Sequence, residues 1–249
     1  MRSPTEATFY FSAEHACSYL PGRLARNVVL DPHTRVDGQL YQSLIDIGFR
    51  RSGEYLYKPT CSRCSACVSV RVPVQQFRPN RSQRRCLKRN SGIELRIRSS
   101  EALAEHHALY CRYLKTRHPK EGEGEAGTSL AEYLQFLNAP WSNTLCYEFH
   151  HQGHVVAVAV TDQLPHGLSA VYTFFEPGMR SAGLGNYAVL RQIEQARRQG
   201  LQWVYLGFWI ADCNKMNYKE HFRPLQAWSG HDWVTFDKGS PIEFESANG

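Results

Sequence analysis

Apolar and polar positions change rhythm along this chain, and the changes mark its elements. In "DGQLYQSLIDIGFRRSG", Asp37 to Gly53, the residues Leu40, Leu44, Ile45 and Ile47 recur at near-helical spacing. The pattern ends at Gly48, as a helix C-terminus does. "EYLYKP" and "CVSVRVPV" predict strands, and in the second Val68, Val70, Val72 and Val74 alternate with period two. "YLPGR", Tyr19 to Arg23, reads as a turn. "FRPNRSQRRCLKRN" predicts a helix that begins near Pro79 and stops at Ser91-Gly92, with Arg81, Arg84, Arg85 and Lys88 on one face.

Beyond Asn90 the grammar differs. "IELRIR" reads as a strand. "SEALAEHHALYCRYLKTRH" reads as an amphipathic helix with Ser100 as its cap. "PKEGEGEAG" is an acidic, glycine-rich loop expected to move, and "SLAEYLQFL" opens with a capping box, Ser129 with Glu132. "TLCYEFH", "HVVAVAVTDQL" and "LSAVYTFFEP" predict three strands in an antiparallel meander, the first two joined by a turn at Gln152-Gly153. A glycine loop feeds the helix "RSAGLGNYAVLRQIEQARRQG". "QWVYLGFWI" is a buried strand, and "NKMNYKEHF" a short helix stopped by Arg223-Pro224. No short internal repeat is present. These elements predict an α+β protein: residues 1–92 as a small α+β N-terminal domain carrying a cysteine-rich segment and a basic helix, packed on residues 93–249 as a domain with a mixed sheet.

Composition narrows the class. At 249 residues, 42% hydrophobic and 12% aromatic, the chain can bury a core and is not a disordered protein. Its formal charge of +6 is modest, but the distribution is uneven. Eight basic residues lie between Arg78 and Arg98, and only Glu94 opposes them. Such a field suits a phosphate backbone; a solvated helix face is the plainer alternative. The eight cysteines do not form a short secreted scaffold, no apolar leader is visible, and no run approaches eighteen apolar residues. The expectation is a cytoplasmic protein with reduced thiols and no membrane partner.

The stretch Arg180 to Gly185, "RSAGLG", lies between the third strand of the meander and its helix. It resembles the phosphate-cradling loop of the GNAT acyltransferase superfamily. Glycines such as Gly183 and Gly185 let backbone approach an anion, the helix N-terminus supplies unpaired N–H groups, and Arg180 adds charge. The resemblance implies a GNAT-like C-terminal domain that moves an activated acyl group to an amine. That reaction requires alignment, proton removal and oxyanion stabilisation, with no cofactor. An ordinary acetyl-CoA acetyltransferase shares the loop but leaves the basic helix without a client.

Several ordered stretches together resemble the arginyl/leucyl-tRNA–protein transferase family over nearly the whole chain. They are "CSYLP" (Cys17 to Pro21), "YQSLIDIGFRRSG" (Tyr41 to Gly53), "YKPTCSRCSAC" (Tyr57 to Cys67), "VRVPVQQFRPNRSQRR" (Val70 to Arg85), "AGLGNYAVL" (Ala182 to Leu190), "YLGFWI" (Tyr205 to Ile210) and "MNYKEHFRPL" (Met216 to Leu225). The resemblance implies transfer of an amino acid from charged tRNA to the N-terminal amine of a protein beginning with Asp or Glu, which marks that protein for degradation. "YLPGR" and "CSRCSAC" are similar to the short bacterial leucyl branch, so leucyl-tRNA is the expected donor. Arginyl-tRNA is the alternative.

The residues then take expected roles. Arg78, Arg81, Arg84, Arg85, Lys88 and Arg89, with Arg180, Gly183 and Gly185, would hold tRNA. Arg50, Arg51 and Lys58, with Lys219 and Arg223, would hold the acceptor carboxylate, since a guanidinium clasps one bidentately. Tyr187, Tyr205 and Tyr218, and also Tyr172, are candidates to orient the ester or relay a proton; core packing is their alternative. Cys61, Cys64 and Cys67 have ligand-like spacing, with Cys17 a natural fourth. Eukaryotic relatives carry a further cysteine near the first motif and hold an iron–sulfur cluster. Here that second cysteine is missing, with Tyr19 and Leu20 in the vicinity. A metal at these thiols stands against thiols that pack or line a pocket. His150, His151 and His154 flank a turn and read as a solvated hairpin.

Overall fold

The structure, a computed structural model, describes residues 7–100, 104–117 and 128–244. The loop "PKEGEGEAG", and the residues joining Ser100 to the following helix, lie outside them. The chain runs β1 (Phe9–Phe11), β2 (His15–Ala16), β3 (Leu24–Ala25), β4 (Asn27–Leu30), α1 (Gly38–Asp46), β5 (Arg50–Ser52), β6 (Tyr55–Pro59), β7 (Val68–Pro73), α2 (Arg81–Arg89), β8 (Glu94–Ser99), α3 (Ala104–Arg117), α4 (Leu130–Leu137), β9 (Thr144–His151), β10 (His154–Gln163) and β11 (Gly167–Phe175). A 3₁₀ turn (Pro177–Ala182), α5 (Leu184–Arg198), β12 (Trp203–Trp209), a second 3₁₀ turn (Asn217–His221), β13 (Leu225–Trp228) and β14 (Trp233–Phe236) complete it.

The elements assemble as α+β with one large mixed sheet, in the order β14-β13-β7-β12-β11-β10-β9-β8. Its β9–β10–β11 meander is antiparallel, as the alternation predicts. The pairing of β11 with β12 is parallel. A smaller antiparallel sheet, β1-β4-β6-β5, stands apart, with the β2–β3 hairpin. Period-two patterning does not reveal where β7 goes. It lies between β12 and β13, antiparallel to both, so the large sheet crosses the boundary at residue 92.

Helix starts follow their capping chemistry. Asp37 accepts from the amides of Gln39 and Leu40 to open α1. Asn80 and Gln83 form a reciprocal capping box on α2, and Ser129 and Glu132 form the expected one on α4. The apolar face of α5, including Leu184, Ala188 and Ile193, packs on the sheet with Val72, Ala157 and Val204. Across the sheet, Leu109 and Tyr110 of α3 and Tyr133 and Leu137 of α4 meet Val158, Val160 and Phe174. Tyr41, Leu44 and Ile45 of α1 pack with Leu30, Phe49 and Leu56 of the smaller sheet. Each face therefore removes apolar area from water, the main favourable term in folding.

Among the described residues, no helix is long and apolar enough to cross a membrane.

Candidate active site

The parallel contact between β11 and β12 is short. Gly167, Leu168 and Ser169 pair with Trp203, Val204 and Tyr205, and pairing then stops. Two residues on, β12 slips register against β7 between Tyr205 and Gly207, and Gly207 takes φ +82°. That left-handed value suits glycine and re-aims the strand end, as bulges do. Beyond this point β11 and β12 are no longer paired.

A basic surface lies beside the start of α5. Helix α2 packs beside the loop that begins α5: Arg89 donates to Ser181 O at 2.5 Å and Asn90 Nδ2 to Ala182 O at 2.9 Å. At its other end, Gln83 Nε2 donates to His221 O at 3.0 Å. Gly183 sits at φ +70°, ending the 3₁₀ turn and admitting α5. Arg81, Arg84, Arg85, Lys88 and Arg89 are exposed along α2, with Arg180 also exposed beside the loop. The basic helix and the glycine loop, more than ninety residues apart in sequence, thus share one surface, while Gly185 is half-buried against Phe175. Arg78 is exposed just before α2, its guanidinium donating to Gln75 O and Phe77 O.

A cavity of about 470 Å³ lies in the N-terminal region. Its floor is one face of the smaller sheet. Arg50 stands opposite Tyr57, and Tyr57 opposite Val29, so these three point the same way. Val29, Tyr55, Tyr57 and Ser52 line the cavity, and Tyr19, Arg23 and the loop of Cys61, Cys64 and Cys67 close it. Arg50 lies behind Tyr57 and is 6% exposed. Its carbon Cζ lies 5.7 Å from the Tyr205 ring and 5.9 Å from that of Phe208, and its Nε has no partner. Burial pushes Arg50 down to about 10.

Lys219, 5% exposed, reaches the same point from the second 3₁₀ turn. Its Nζ donates to Phe208 O and lies 3.6 Å from Met216 Sδ. A Cβ built on Gly207 would stand 3.8 Å from it. Burial, then the charge of Arg50, brings Lys219 down to about 7. Among the described residues, neither cation has a carboxylate within 4 Å. Two buried cations without a counterion cost free energy unless an anion joins them.

The remaining candidates divide. Tyr218 is half-buried beside Lys219, with its ring edge on Phe222 and its hydroxyl pushed up to about 12 by burial. Tyr172 packs with Tyr113 and Phe136. Two tyrosine expectations are corrected. Tyr187 is buried beneath α5 against Phe149, its hydroxyl accepting from Arg191 at 2.9 Å. Tyr205 is fully buried and donates to Asp46 Oδ1 at 2.5 Å while accepting from Gln42 at 3.0 Å. Both are core groups with committed hydroxyls.

Arg51 is corrected likewise. Adjacent strand residues face opposite ways, so it points into the core. There it pairs with both oxygens of Asp162 and donates to Gly53 O, Leu137 O and Thr144 Oγ1. Its charge is already matched by Asp162. Lys58 donates to Ile47 O at 3.0 Å, 5.8 Å from the Trp228 ring, and Arg223 donates to Glu220 O and Asp237 O.

Cys17, Cys61, Cys64 and Cys67 do gather around the cavity. The Cys64 thiol is lowered by the Ala66 backbone N–H and by Arg23, which donates to it at 3.3 Å. Cys67 is pushed up to about 12 by burial. Among the described residues, no group of three or more His, Cys, Asp or Glu is arranged to hold a metal ion.

Pattern reading missed two further groups. One is Asp162, partner of Arg51. The other is Glu148, buried on β9 between His106 at 3.0 Å and His150 at 2.9 Å, with Arg98 at 3.3 Å. His150 is therefore not part of a solvated hairpin. The alternation of polar Glu148 and His150 on β9 was the available signal.

The chain matches the family described as arginine-tRNA-protein transferase, its N-terminal region over residues 15–85 and its C-terminal region over residues 105–229. It belongs to that family and is a transferase enzyme. Relatives named aspartate/glutamate leucyltransferase include one from Stenotrophomonas maltophilia, 48% identical over 93% of this chain and 94% of the relative. Others are from Alkalilimnicola ehrlichii, 45% identical over 91% and 94%, and Saccharophagus degradans, 42% identical over 95% and 100%. Among solved structures, the C-terminal domain (DUF2156) of a putative lysylphosphatidylglycerol synthetase from Agrobacterium fabrum superposes with TM-score 0.45 at 12% identity, covering 70% of this chain and 53% of that one.

Proposed function

We propose that this enzyme transfers leucine from leucyl-tRNA to the N-terminal amine of proteins that begin with Asp or Glu, marking them for degradation. The observation that carries the reading is the pair of buried cations without a carboxylate partner, Arg50 and Lys219, with Arg50 paired across the sheet with the cavity-lining Tyr57. An acidic first residue supplies the missing anion. Its carboxylate meets Arg50 while its α-amine reaches the end of β12.

The donor enters over the basic surface. Arg81, Arg84, Arg85, Lys88 and Arg89 hold tRNA phosphates, with Arg180 and the backbone at Gly183 near the terminal nucleotides. The parting of two parallel strands beside a glycine loop and helix N-terminus supports a GNAT-like reading of the larger domain. The ester is already activated, so the protein must orient two substrates and manage one proton. Tyr218, beside Lys219, orients the ester in this reading.

The test mixes peptides beginning with Asp, Glu, Asn and Ala with leucyl-tRNA, arginyl-tRNA or acetyl-CoA, and weighs the products by mass spectrometry. Leucine on the Asp and Glu peptides alone is expected. Arginine addition would move the chain to the arginyl branch, acetylation would reject a tRNA donor, and unextended peptides in every mixture would end the reading.

A further inference from the structure

We propose that Lys219 is the base that takes the proton from the acceptor's N-terminal ammonium, and that the acceptor's own side-chain carboxylate, seated on Arg50, enables it to do so. The inference rests on the proposed function and adds to it the group that makes the amine nucleophilic.

The geometry points to this residue for three reasons. Lys219 Nζ lies at the end of β12, where the strands part, held by Phe208 O and next to Gly207. Within the second 3₁₀ turn Lys219 turns inward onto Phe208 O, whereas Glu220 accepts from Trp209 Nε1 at 3.3 Å. Arg50 lies by the Phe208 ring, its Nη1 donating to Phe49 O at 2.7 Å and its Nη2 to Val70 O at 3.4 Å, and its buried Nε has no partner. The other groups acting on Lys219 are the thiols of Cys67 and Cys213, from the segments before β7 and after β12, and the neighbouring Tyr218 ring at 5.7 Å. None is a carboxylate.

Without an acceptor, protonating Lys219 sets two cations side by side out of water, so the amine stays available. A carboxylate on Arg50 removes that conflict and gives Lys219 a counterion. The proton then passes from the α-ammonium to Nζ. The freed nitrogen lone pair attacks the ester carbonyl carbon, the C–N bond forms, and the C–O bond to the ribose breaks. The second proton lost by the nitrogen goes to the departing ribose oxygen. Lys219 afterwards returns its proton to solvent. An acceptor beginning with Asn brings no charge, so Lys219 cannot take up the proton and the nitrogen remains an ammonium. Acidic first residues are thus selected in turnover as well as in binding.

The experiment measures kcat and KM for Asp- and Asn-headed peptides from pH 6 to 9 in the full-length protein, Lys219→Gln and Lys219→Arg. An α-ammonium of pKa about 7.8 is roughly one-seventh neutral at pH 7 and one-sixtieth at pH 6. Lys219, at about 7, is itself roughly half neutral at pH 7 and about one-eleventh neutral at pH 6, so both variants should lose kcat about fourfold at pH 7 and about sixfold at pH 6, and approach the parent rate at pH 9. Lys219→Arg should retain the parent KM for the Asp peptide, and in Lys219→Gln the kcat gap between Asp and Asn peptides should close. A variant-to-parent ratio that is flat with pH, or a Lys219→Arg enzyme with the parent profile, would overturn the proposal. Both failures are separable from failure of the proposed function, in which the parent enzyme itself leaves the Asp peptide unextended.

Discussion

Replacing Arg51 with methionine should unfold this protein well below its normal melting temperature. Arg51 reaches both oxygens of Asp162 from a position 6% exposed, and Asp162 is fully buried. Without the guanidinium, Asp162 keeps only the hydroxyls of Tyr41 and Thr144, each at 2.8 Å, and its charge is uncompensated. Removing one partner of such a pair costs about 3–5 kcal/mol. For a chain of this size, each kcal/mol moves Tm by roughly 2–4 °C, so a loss on the order of 10 °C is expected. Circular dichroism melts and urea titrations would measure it. Adding Asp162→Asn should recover a large part of the loss, because an amide keeps the acceptor for the two hydroxyls without a buried charge. The neighbouring variant, Arg50→Met, serves as the contrast. It removes a cation with no counterion, so Tm should hold or rise while KM for Asp- and Glu-headed peptides climbs. Refutation is the reverse pattern: Arg51→Met melting as the parent does, with a raised acceptor KM.

Converting Arg84, Arg85 and Lys88 to Ala should weaken leucyl-tRNA binding and flatten its log–log salt dependence by about 2–3, one phosphate contact being lost per residue; an unchanged slope in filter binding from 50 to 200 mM salt would remove α2 from the interface. His106 is held below the ordinary histidine range by burial, with Glu148 opposing. The unfolded chain then binds the extra proton, so the stability it contributes is present above about pH 6.5 and lost as pH falls through the lower folded value. His106→Asn should flatten the decline of Tm below pH 6.5, and a parallel decline would place the acid sensitivity elsewhere.

Patterning made most elements legible because each has a local cause. The capping pair Ser129–Glu132, the alternating valines of β7 and the glycine that ends α1 act within a few residues. The site was legible by residue type and less so by direction. Arg50 and Arg51 look equivalent in sequence, yet the pleat of β5 sends one to the cavity and the other to Asp162. Tyr205 and Tyr218 likewise differ: the hydroxyl of the first is committed to Asp46 and Gln42, whereas the second packs its ring edge on Phe222. Asp162, 111 residues from Arg51, could not be assigned to it without the sheet that brings them together.

The placement of β7 reaches beyond the site. A strand made early lies between two made late, so ribosomal synthesis must release β12 and β13 before β7 finds either neighbour. A fragment starting at residue 93 would present two open strand edges where that strip of backbone belongs, inviting aggregation in place of turnover. Splitting the gene there should yield pieces that work only when they reassemble.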